Sequence, residues 1–244
     1  MRNNRFYIDH PLDTGVRLDI ERTVAVHINK VLRLTTGAQV TLFNGDGFDY
    51  YAQLTVATKS VSARIVSKQQ NLAISPLTTE LGQGLCRGDR MDYSLQKAVE
   101  MGVSRITPII TERVQFRLDN KRLEKKMRHW QGVIRAACEQ CGRADVPILK
   151  PIMPLAQWLN ASDEIIIILN PEAAKTLTQA LSELTPEQTN SVHILVGPEG
   201  GLTTDEIAES EKHGIGVTLG PRILRTETAG TAILALLQQQ LGDI

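Results

Sequence analysis

The sequence predicts an α/β protein in which a small β-rich domain precedes a larger α/β domain with a mostly parallel sheet. Short segments of alternating hydrophobicity dominate up to residue 75, and strand-like runs alternate with helical patterns after residue 77. Apolar residues make up 42% of the 244 positions, which is enough for an ordinary core. We therefore expect two domains, residues 1–75 and 76–244.

Five short strands and one helix are expected in the first domain. The strands are, in order, Arg5–Ile8, Val16–Ile20, Ala38–Phe43, Phe48–Val56 and Val61–Val66. The turn cluster Asn-Gly-Asp-Gly at 44–47 predicts a hairpin between the third and fourth strands. Apolar residues at helical spacing predict a helix over Glu21–Leu34. Because Ser75-Pro76 disfavours continuing either element, Asn71–Pro76 is the expected linker.

Strands and helices alternate in the second domain. The strand-like runs are Leu77–Cys86, Arg105–Ile110, Ile165–Leu169, Val192–Val196 and Gly216–Leu219. The helical patterns are Asp89–Met101, Leu123–Cys141, a helix that a Thr203-x-x-Glu206 capping box opens, and Thr226–Leu241. This alternation implies βαβ units and a sheet that is covered on both faces.

The last helix is apolar around almost its full circumference, notably over residues 232–237. A helix of this kind is buried on two sides, so either a long loop or a second subunit must cover it. We favour the second subunit and predict a homodimer, because twofold homodimers are the commonest oligomers.

Charge is distributed unevenly although the formal net charge is zero. The first 160 residues contain 23 Lys and Arg against 15 Asp and Glu, and the last 84 contain 4 against 12. A basic portion on a neutral protein favours local binding to a phosphate backbone, although solvated basic helix faces would give the same count. The aromatic content of 4% argues against a surface built from base-stacking platforms.

No segment of the sequence indicates export or a membrane span. Met1–Leu12 lacks the apolar stretch of a secretory signal, and the densest apolar run, Ile165–Leu169, is too short to cross a bilayer. Cys138 and Cys141 form a C-x-x-C without a second pair, so ordinary thiols are expected and a zinc site is not. These features predict a soluble, cytoplasmic protein without a metal.

Three consecutive strand ends carry loops that are rich in glycine and proline, at 169–173, 196–201 and 219–229. Ligands bind outside the carboxyl ends of strands in open α/β sheets, and glycine lets the backbone approach a ligand closely. The sequence contains no P-loop, Rossmann, metalloprotease, EF-hand or nucleophile-elbow motif. A ligand with an adenosine part and no phosphates is compatible with this pattern, as is the plainer reading that the loops are only tight turns.

Gly-Pro-Glu-Gly-Gly at 197–201, followed by Leu-Gly-Pro-Arg-Ile-Leu-Arg-Thr-Glu-Thr-Ala at 219–229, closely resembles the ribosomal small subunit methyltransferase E family, within the knotted SPOUT methyltransferases. Further matching segments lie at 96–102, 106–108, 111–113 and 139–143. The first 75 residues, notably His27 and Lys30-Val31-Leu32-Arg33, are similar to the PUA-like RNA-binding domain of that family.

The resemblance implies methylation of N3 of uridine 1498 in 16S ribosomal RNA, with S-adenosylmethionine as cofactor and no metal. It implies the assembled small ribosomal subunit as substrate and a homodimer as the working enzyme. It also implies that the last three loops form a trefoil knot, which nothing in the periodicity reveals.

Cofactor contacts are expected from the three loops. The candidates are Leu169, Asn170, Gly197, Pro198, Glu199, Gly200, Gly201, Leu219, Gly220, Ile223, Leu224, Thr226, Glu227 and Thr228. Leu219, Ile223 and Leu224 would sandwich adenine. Glu199 would either bind a ribose hydroxyl or brace the loops.

The expected chemistry requires that uracil N3 lose its proton and that the resulting negative charge be stabilised. Arg225 and Arg143 are the candidate cations, and Glu139 would accept the proton or orient Arg143. Glu139 and Arg143 could equally be a surface pair at i,i+4 spacing.

Candidate phosphate contacts are basic residues of both domains: Arg2, Arg5, Lys30, Arg33 and Arg113, together with the Lys121–Arg128 run. The run equally fits a solvated helix face. Two other functions stay open from the residues alone, a related methyltransferase acting on another rRNA or tRNA site and a non-catalytic RNA-binding assembly protein.

Overall fold

The computed structural model describes residues 4–58, 60–113 and 120–244. The chain divides into two compact units. The N-terminal unit consists of Met1–Ile74 and Arg135–Val146, and the C-terminal unit of Ser75–Ile134 and Pro147–Ile244. The sequence pattern did not indicate that Arg135–Val146 groups with the N-terminal unit.

A five-stranded sheet forms the N-terminal unit. Its strands are β1 (Arg5–Tyr7), β2 (Arg17–Asp19), β3 (Gln39–Phe43), β4 (Phe48–Val56) and β5 (Val61–Gln70). They lie in the order β1-β3-β4-β5-β2, and every pair is antiparallel except β1 with β3. The predicted hairpin is therefore confirmed, because β3 and β4 pair directly across the 44–47 turn.

The predicted helix of this unit is present but irregular. Helix α1 (Arg22–Val26) continues into a π-helical turn, His27–Val31. Two residues after this turn, Arg33 has a φ of 52°, a left-handed conformation that residues other than glycine seldom adopt. The helix packs on the sheet through Ile28, which is fully buried with Leu42 and Leu54 in the core of the unit.

A mostly parallel sheet forms the centre of the C-terminal unit, as predicted. Its strands are β6 (Thr78–Gly84), β7 (Arg105–Ile110), β8 (Ile148–Leu149), β9 (Met153–Pro154), β10 (Ile165–Leu169), β11 (Lys175–Thr176), β12 (Ser191–Val196) and β13 (Gly214–Thr218). Seven lie in the order β11-β13-β10-β12-β6-β7-β8, and β9 pairs with β7. The pairs between these strands are parallel.

Seven more helices lie in the part of the chain that the structure describes: α2 (Asp89–Glu100), α3 (Asn120–Cys141), α4 (Leu155–Asn160), α5 (Leu177–Ser182), α6 (Pro186–Thr189), α7 (Thr204–Ser210) and α8 (Thr226–Leu241). All belong to the C-terminal unit except the end of α3, which from Arg135 onward groups with the N-terminal unit. The predicted capping box opens α7, because Thr203 Oγ1 accepts the Glu206 N–H at 3.2 Å while the Glu206 carboxylate accepts the Thr203 N–H at 2.9 Å. Helices α4 to α6 were not predicted, since four to six residues are too few for a periodic pattern.

Helix α8 has one fully buried face. Ile233, Leu234 and Leu237 are fully buried, whereas Leu236 is 39% exposed. The side chain of Gln238 is also fully buried, and its Nε2 donates to the Met101 carbonyl at 3.2 Å while its Oε1 accepts from the Ser75 hydroxyl at 2.9 Å. The second covering surface that we expected for this helix stays a prediction.

A buried ionic cluster lies among β6, β7, β12 and α4. Its centre is Glu80, whose side chain is 1% exposed. The carboxylate accepts hydrogen bonds from Thr107 Oγ1 (2.7 Å), Trp158 Nε1 (2.8 Å) and Arg105 Nε (3.0 Å), and Lys150 Nζ lies 2.8 Å away. Burial alone would raise the pKa of Glu80, but these donors outweigh it and lower the pKa from 4.5 to about 2.

Candidate functional site

The carboxyl ends of β10, β12 and β13 lie side by side, because β10 pairs with both of the other two strands in parallel. The three glycine- and proline-rich loops that follow these strands line a cavity of about 900 Å³. Its volume lies within the range of roughly 300–1,000 Å³ that is usual for pockets that bind small molecules and cofactors. The loops therefore form one ligand-sized site at the edge of the sheet where α/β folds bind ligands.

Nearly all the residues that we proposed as cofactor contacts line this cavity. They are Leu169, Asn170, Gly197, Pro198, Glu199, Gly200, Gly201, Leu219, Gly220, Ile223, Leu224, Thr226 and Glu227. Thr228 does not line it, because its side chain is on the exposed face of α8. Ile223 is 86% exposed, so of the three apolar residues expected to enclose adenine only Leu219 and Leu224 are half-buried.

Glu199 braces two neighbouring loops. Its Oε1 accepts the Arg87 backbone N–H at 2.8 Å and the Arg90 guanidinium at 3.2 Å, both from the segment that follows β6. Burial would raise the pKa of Glu199, but the Arg87 N–H and Arg90 outweigh that effect and hold it below its ordinary value. The bracing role that we considered for this residue is thus the one its hydrogen bonds support.

Thr226 fastens the start of α8 to the loop after β12. Its hydroxyl donates to the Gly197 carbonyl at 2.6 Å and accepts from Gln83 Nε2 at 2.9 Å. The side chains of Gln83 and Thr226 are both buried, so this chain of hydrogen bonds is protected from water. Thr226 therefore holds the wall of the cavity together rather than pointing a free hydroxyl into it.

The backbone of β6 meets the loop after β12 at very short range. A Cβ atom built on Gly84 would lie 2.5 Å from the Pro198 nitrogen and 2.8 Å from the Gly197 carbonyl carbon. Only glycine fits there without moving backbone atoms. Gly201 and Gly220, with φ of 70° and 97°, need the left-handed conformation that glycine adopts without strain.

Four arginines and three glutamates contribute to the cavity wall. Arg225 is exposed and occupies the position that caps the amino end of α8. Arg113 Nη1 donates to the Gly200 carbonyl at 2.7 Å, so this candidate RNA contact lies at the cavity. Oε2 of Glu227 is buried without a hydrogen-bond partner among the residues described, which leaves an acceptor for a bound molecule.

Two residues proposed for catalysis are not part of the lining of the loop cavity. Glu139 and Arg143 belong to the N-terminal unit, and neither lines the loop cavity. The side chain of Arg143 is 4% exposed and donates through Nε to Asp145 Oδ1 at 3.0 Å, beyond the end of α3. The alternative of an exposed helical pair at i,i+4 is therefore wrong, and a part for either residue in the chemistry stays a prediction.

The candidate RNA contacts differ in their availability. Lys30 and Arg33 are exposed, whereas the Arg5 guanidinium lies inside its unit, 2.9 Å from Asp49 Oδ1 and 3.0 Å from the Arg143 carbonyl oxygen. Arg5 would have to leave these partners to reach a phosphate. Arg2 lies outside the described residues. Most of the Lys121–Arg128 run is exposed on α3.

Sequence reasoning missed Gln83 and Arg90, which support the loops from the neighbouring strand and helix. Gln83 is the second-last residue of β6 and Arg90 the second residue of α2, and no local motif marks either position. Among residues 4–58, 60–113 and 120–244, no group of three or more His, Cys, Asp or Glu could hold a metal, and no helix is long and apolar enough to cross a membrane.

Two family models match the chain. The model described as an RNA methyltransferase domain matches residues 73–238, and the model described as an RNA methyltransferase PUA domain matches residues 21–66. The first match covers the strands and loops of the cavity, and the second covers most of the five-stranded sheet.

Relatives of known name cover nearly the whole chain. A ribosomal RNA small subunit methyltransferase E of Buchnera aphidicola subsp. Schizaphis graminum is 33% identical over 98% of this chain and 97% of its own length. The solved structure of the enzyme of that name from Neisseria gonorrhoeae, bound to S-adenosyl methionine, is 36% identical with a TM-score of 0.91. A Legionella pneumophila protein in complex with bound SAM is 38% identical with a TM-score of 0.93, and both comparisons cover 100% of each chain.

Proposed function

The chain belongs to the ribosomal RNA small subunit methyltransferase E family, and we propose that it methylates N3 of uridine 1498 in 16S ribosomal RNA, with S-adenosylmethionine as the methyl donor. The observation that carries the proposal is the convergence of three glycine- and proline-rich loops on one cavity of about 900 Å³. The trefoil knot expected for these loops is part of the proposal.

The residues of the cavity fit the proposed donor. Leu219 and Leu224 offer apolar surface for adenine, and the unpaired Oε2 of Glu227 offers an acceptor for a hydroxyl or amino group. Gly197 and Gly200 bring backbone groups to the wall without side-chain bulk. When bound, S-adenosylmethionine would supply an electrophilic methyl group on a sulfonium ion.

Arg225 is the residue best placed to assist the uridine. Uracil N3 carries a proton, and as that proton leaves, negative charge spreads onto the two flanking carbonyl oxygens. A cation beside the base stabilises such developing charge. Arg225 lines the cavity at the amino end of α8, where the helix dipole also favours negative charge.

Lys30 and Arg33 in the PUA-like unit, and Arg113 at the cavity, are the proposed contacts to the RNA backbone. We expect binding to small ribosomal subunits to weaken steeply with salt, because each phosphate contact releases counterions.

A homodimer acting in the cytoplasm completes the proposal, supported by the partly exposed Leu236 on the apolar helix α8.

The decisive experiment measures transfer of a radiolabelled methyl group from S-adenosylmethionine to small subunits that lack the modification. Nucleoside analysis of the product should give N3-methyluridine, and primer extension should stop at position 1498. N3-methyluridine at another position would mean that the protein modifies a different nucleotide by the same reaction. Absence of both transfer and cofactor binding would leave a non-catalytic RNA-binding protein.

A further inference from the structure

A second cavity, of about 280 Å³, lies entirely within the N-terminal unit. Strand β1, the π-helical turn and the last two turns of α3 form it. Its polar and aromatic wall consists of Asn4, Arg5, Phe6, His27, Glu139 and Gln140. The volume is just below the range of roughly 300–1,000 Å³ for drug-sized ligands, so the cavity suits a group no larger than a single base.

Glu139 supplies a desolvated hydrogen-bond acceptor in this cavity. Burial raises the pKa of Glu139, although the Tyr7 N–H and the charges of His27 and Arg5 oppose the rise. Its Oε1 accepts that N–H at 2.9 Å, and the described residues provide no other hydrogen bond to the carboxylate. Because a carboxylate accepts about four hydrogen bonds, most of this capacity is left for a ligand.

Arg5 gives the cavity a rigid wall rather than a mobile arm. Its guanidinium lies 2.9 Å from Asp49 Oδ1, donates to the Arg143 carbonyl at 3.0 Å and lies 5.1 Å from the centre of the Phe43 ring. A side chain held by three partners loses little further entropy when a ligand binds beside it.

An imidazole lines the cavity, and two cations lie close to it in the sequence. The exposed His27 ring contacts Phe6 edge-on, with ring centres 6.3 Å apart. Lys30, on the π-helical turn, and Arg33, two residues after it, are exposed and do not themselves line the cavity. π-Helical turns and left-handed residues other than glycine are enriched at functional sites, and imidazole rings stack on unpaired bases.

We infer that this cavity binds one unpaired base of the substrate RNA whose Watson–Crick edge carries an amino group, with Glu139 accepting its N–H groups. Lys30 and Arg33 then contact the phosphates on either side. Adenine, cytosine and guanine present such an amino group. Uracil presents one N–H between two carbonyl oxygens, which the Glu139 carboxylate repels. The inference rests on the proposed action on ribosomal RNA, but it assigns a site distinct from the loop cavity.

An NMR titration of the intact protein with nucleoside monophosphates tests the site without any catalytic readout. The Tyr7 amide, which donates to Glu139, is the reporter. We expect its resonance to shift with AMP, CMP or GMP at millimolar concentration and not with UMP. No shift with any nucleotide, or an equal shift with UMP, overturns the inference.

Steady-state kinetics with small subunits provide the second test. We expect Glu139→Gln to raise KM for the subunits roughly tenfold, with a much smaller change in kcat and in the Kd for S-adenosylmethionine, because a charged acceptor is lost. Glu21→Gln makes the same chemical change at an exposed carboxylate of the same unit and should behave as the wild type.

A fall in kcat at unchanged KM would make Glu139 the proton acceptor instead and overturn the inference, as would kinetics equal to those of the wild type. If the wild-type protein transfers no methyl group, the proposed function is wrong. The nucleotide titration still tests separately whether this cavity binds a base.

Discussion

Replacing Glu80 by glutamine should destabilise the protein substantially without touching the loop cavity. The fall of the Glu80 pKa from 4.5 to about 2 means that the folded protein prefers the ionised carboxylate. At about 1.4 kcal/mol for every tenfold change in proton affinity, that preference is about 3 kcal/mol. Solvent screens this preference little, because the side chain is 1% exposed. Arg105 and Lys150 would also lose their partner, but both reach water, at 29% and 37% exposure, and add little to this loss.

The pH dependence has a definite sign. A carboxyl group whose pKa is lowered by folding stabilises the protein above its ordinary pKa and loses that effect as the pH falls toward the folded value. The wild type should therefore lose roughly 2 kcal/mol of unfolding free energy from Glu80 between pH 4.5 and 3. In Glu80→Gln this part of the slope should be absent.

Urea unfolding at pH 7, 4.5 and 3 measures both effects. Glu183→Gln is the matched control, because the Lys175–Glu183 pair has a shorter separation, 2.6 Å, but side chains that are 45% and 51% exposed. We expect that control to cost less than about 1 kcal/mol. Equal stability of Glu80→Gln and the wild type at pH 7, with parallel pH slopes, would refute the reasoning.

Three further changes probe the loop cavity, each measured by titration calorimetry with S-adenosylmethionine and by methyl transfer. Arg225→Ala should lower kcat by roughly a hundredfold and cofactor affinity much less; equal losses would make it a binding residue only. Gly84→Ala should weaken cofactor binding at least tenfold, because its Cβ would meet the Pro198 nitrogen at 2.5 Å, and unchanged affinity would contradict the close approach. Glu199→Gln keeps the shape of the side chain but loses the negative charge that accepts from the Arg87 N–H and the Arg90 guanidinium. Affinity for S-adenosylmethionine should therefore fall severalfold at pH 7. A variant that binds the cofactor as the wild type does would contradict the bracing role.

The regular elements could be predicted because their residues repeat with a clear period. The sequence pattern placed Arg105–Ile110, Ile165–Leu169 and Thr226–Leu241 at the bounds that the structure has. Strands of two residues, such as β8 and β11, have no period to detect. They form because a neighbouring strand offers unpaired backbone groups.

The walls of the cavity were predictable from the loops, whereas their supports were not. Glycine and proline at three strand ends indicated where a ligand would bind. Gln83 supports Gly197 through Thr226, and this depends on the pairing of β6 with β12, which no local pattern encodes. In the sequence, Arg143 was either a catalytic cation or part of a surface pair, yet the residue is 4% exposed and donates to Asp145.

The register of β6 against β12 has a consequence for the order in which the protein folds. Thr78 aligns with Ser191, so residues 79–190 must be synthesised and arranged before this ladder can close. Contacts between residues so distant in the sequence form late and slowly, because the connecting chain loses conformational entropy before the strands can form hydrogen bonds. We therefore expect S-adenosylmethionine to bind the folded chain and not a nascent or truncated one. Binding should slow proteolysis of the complete protein and leave the rate for a truncated chain unchanged.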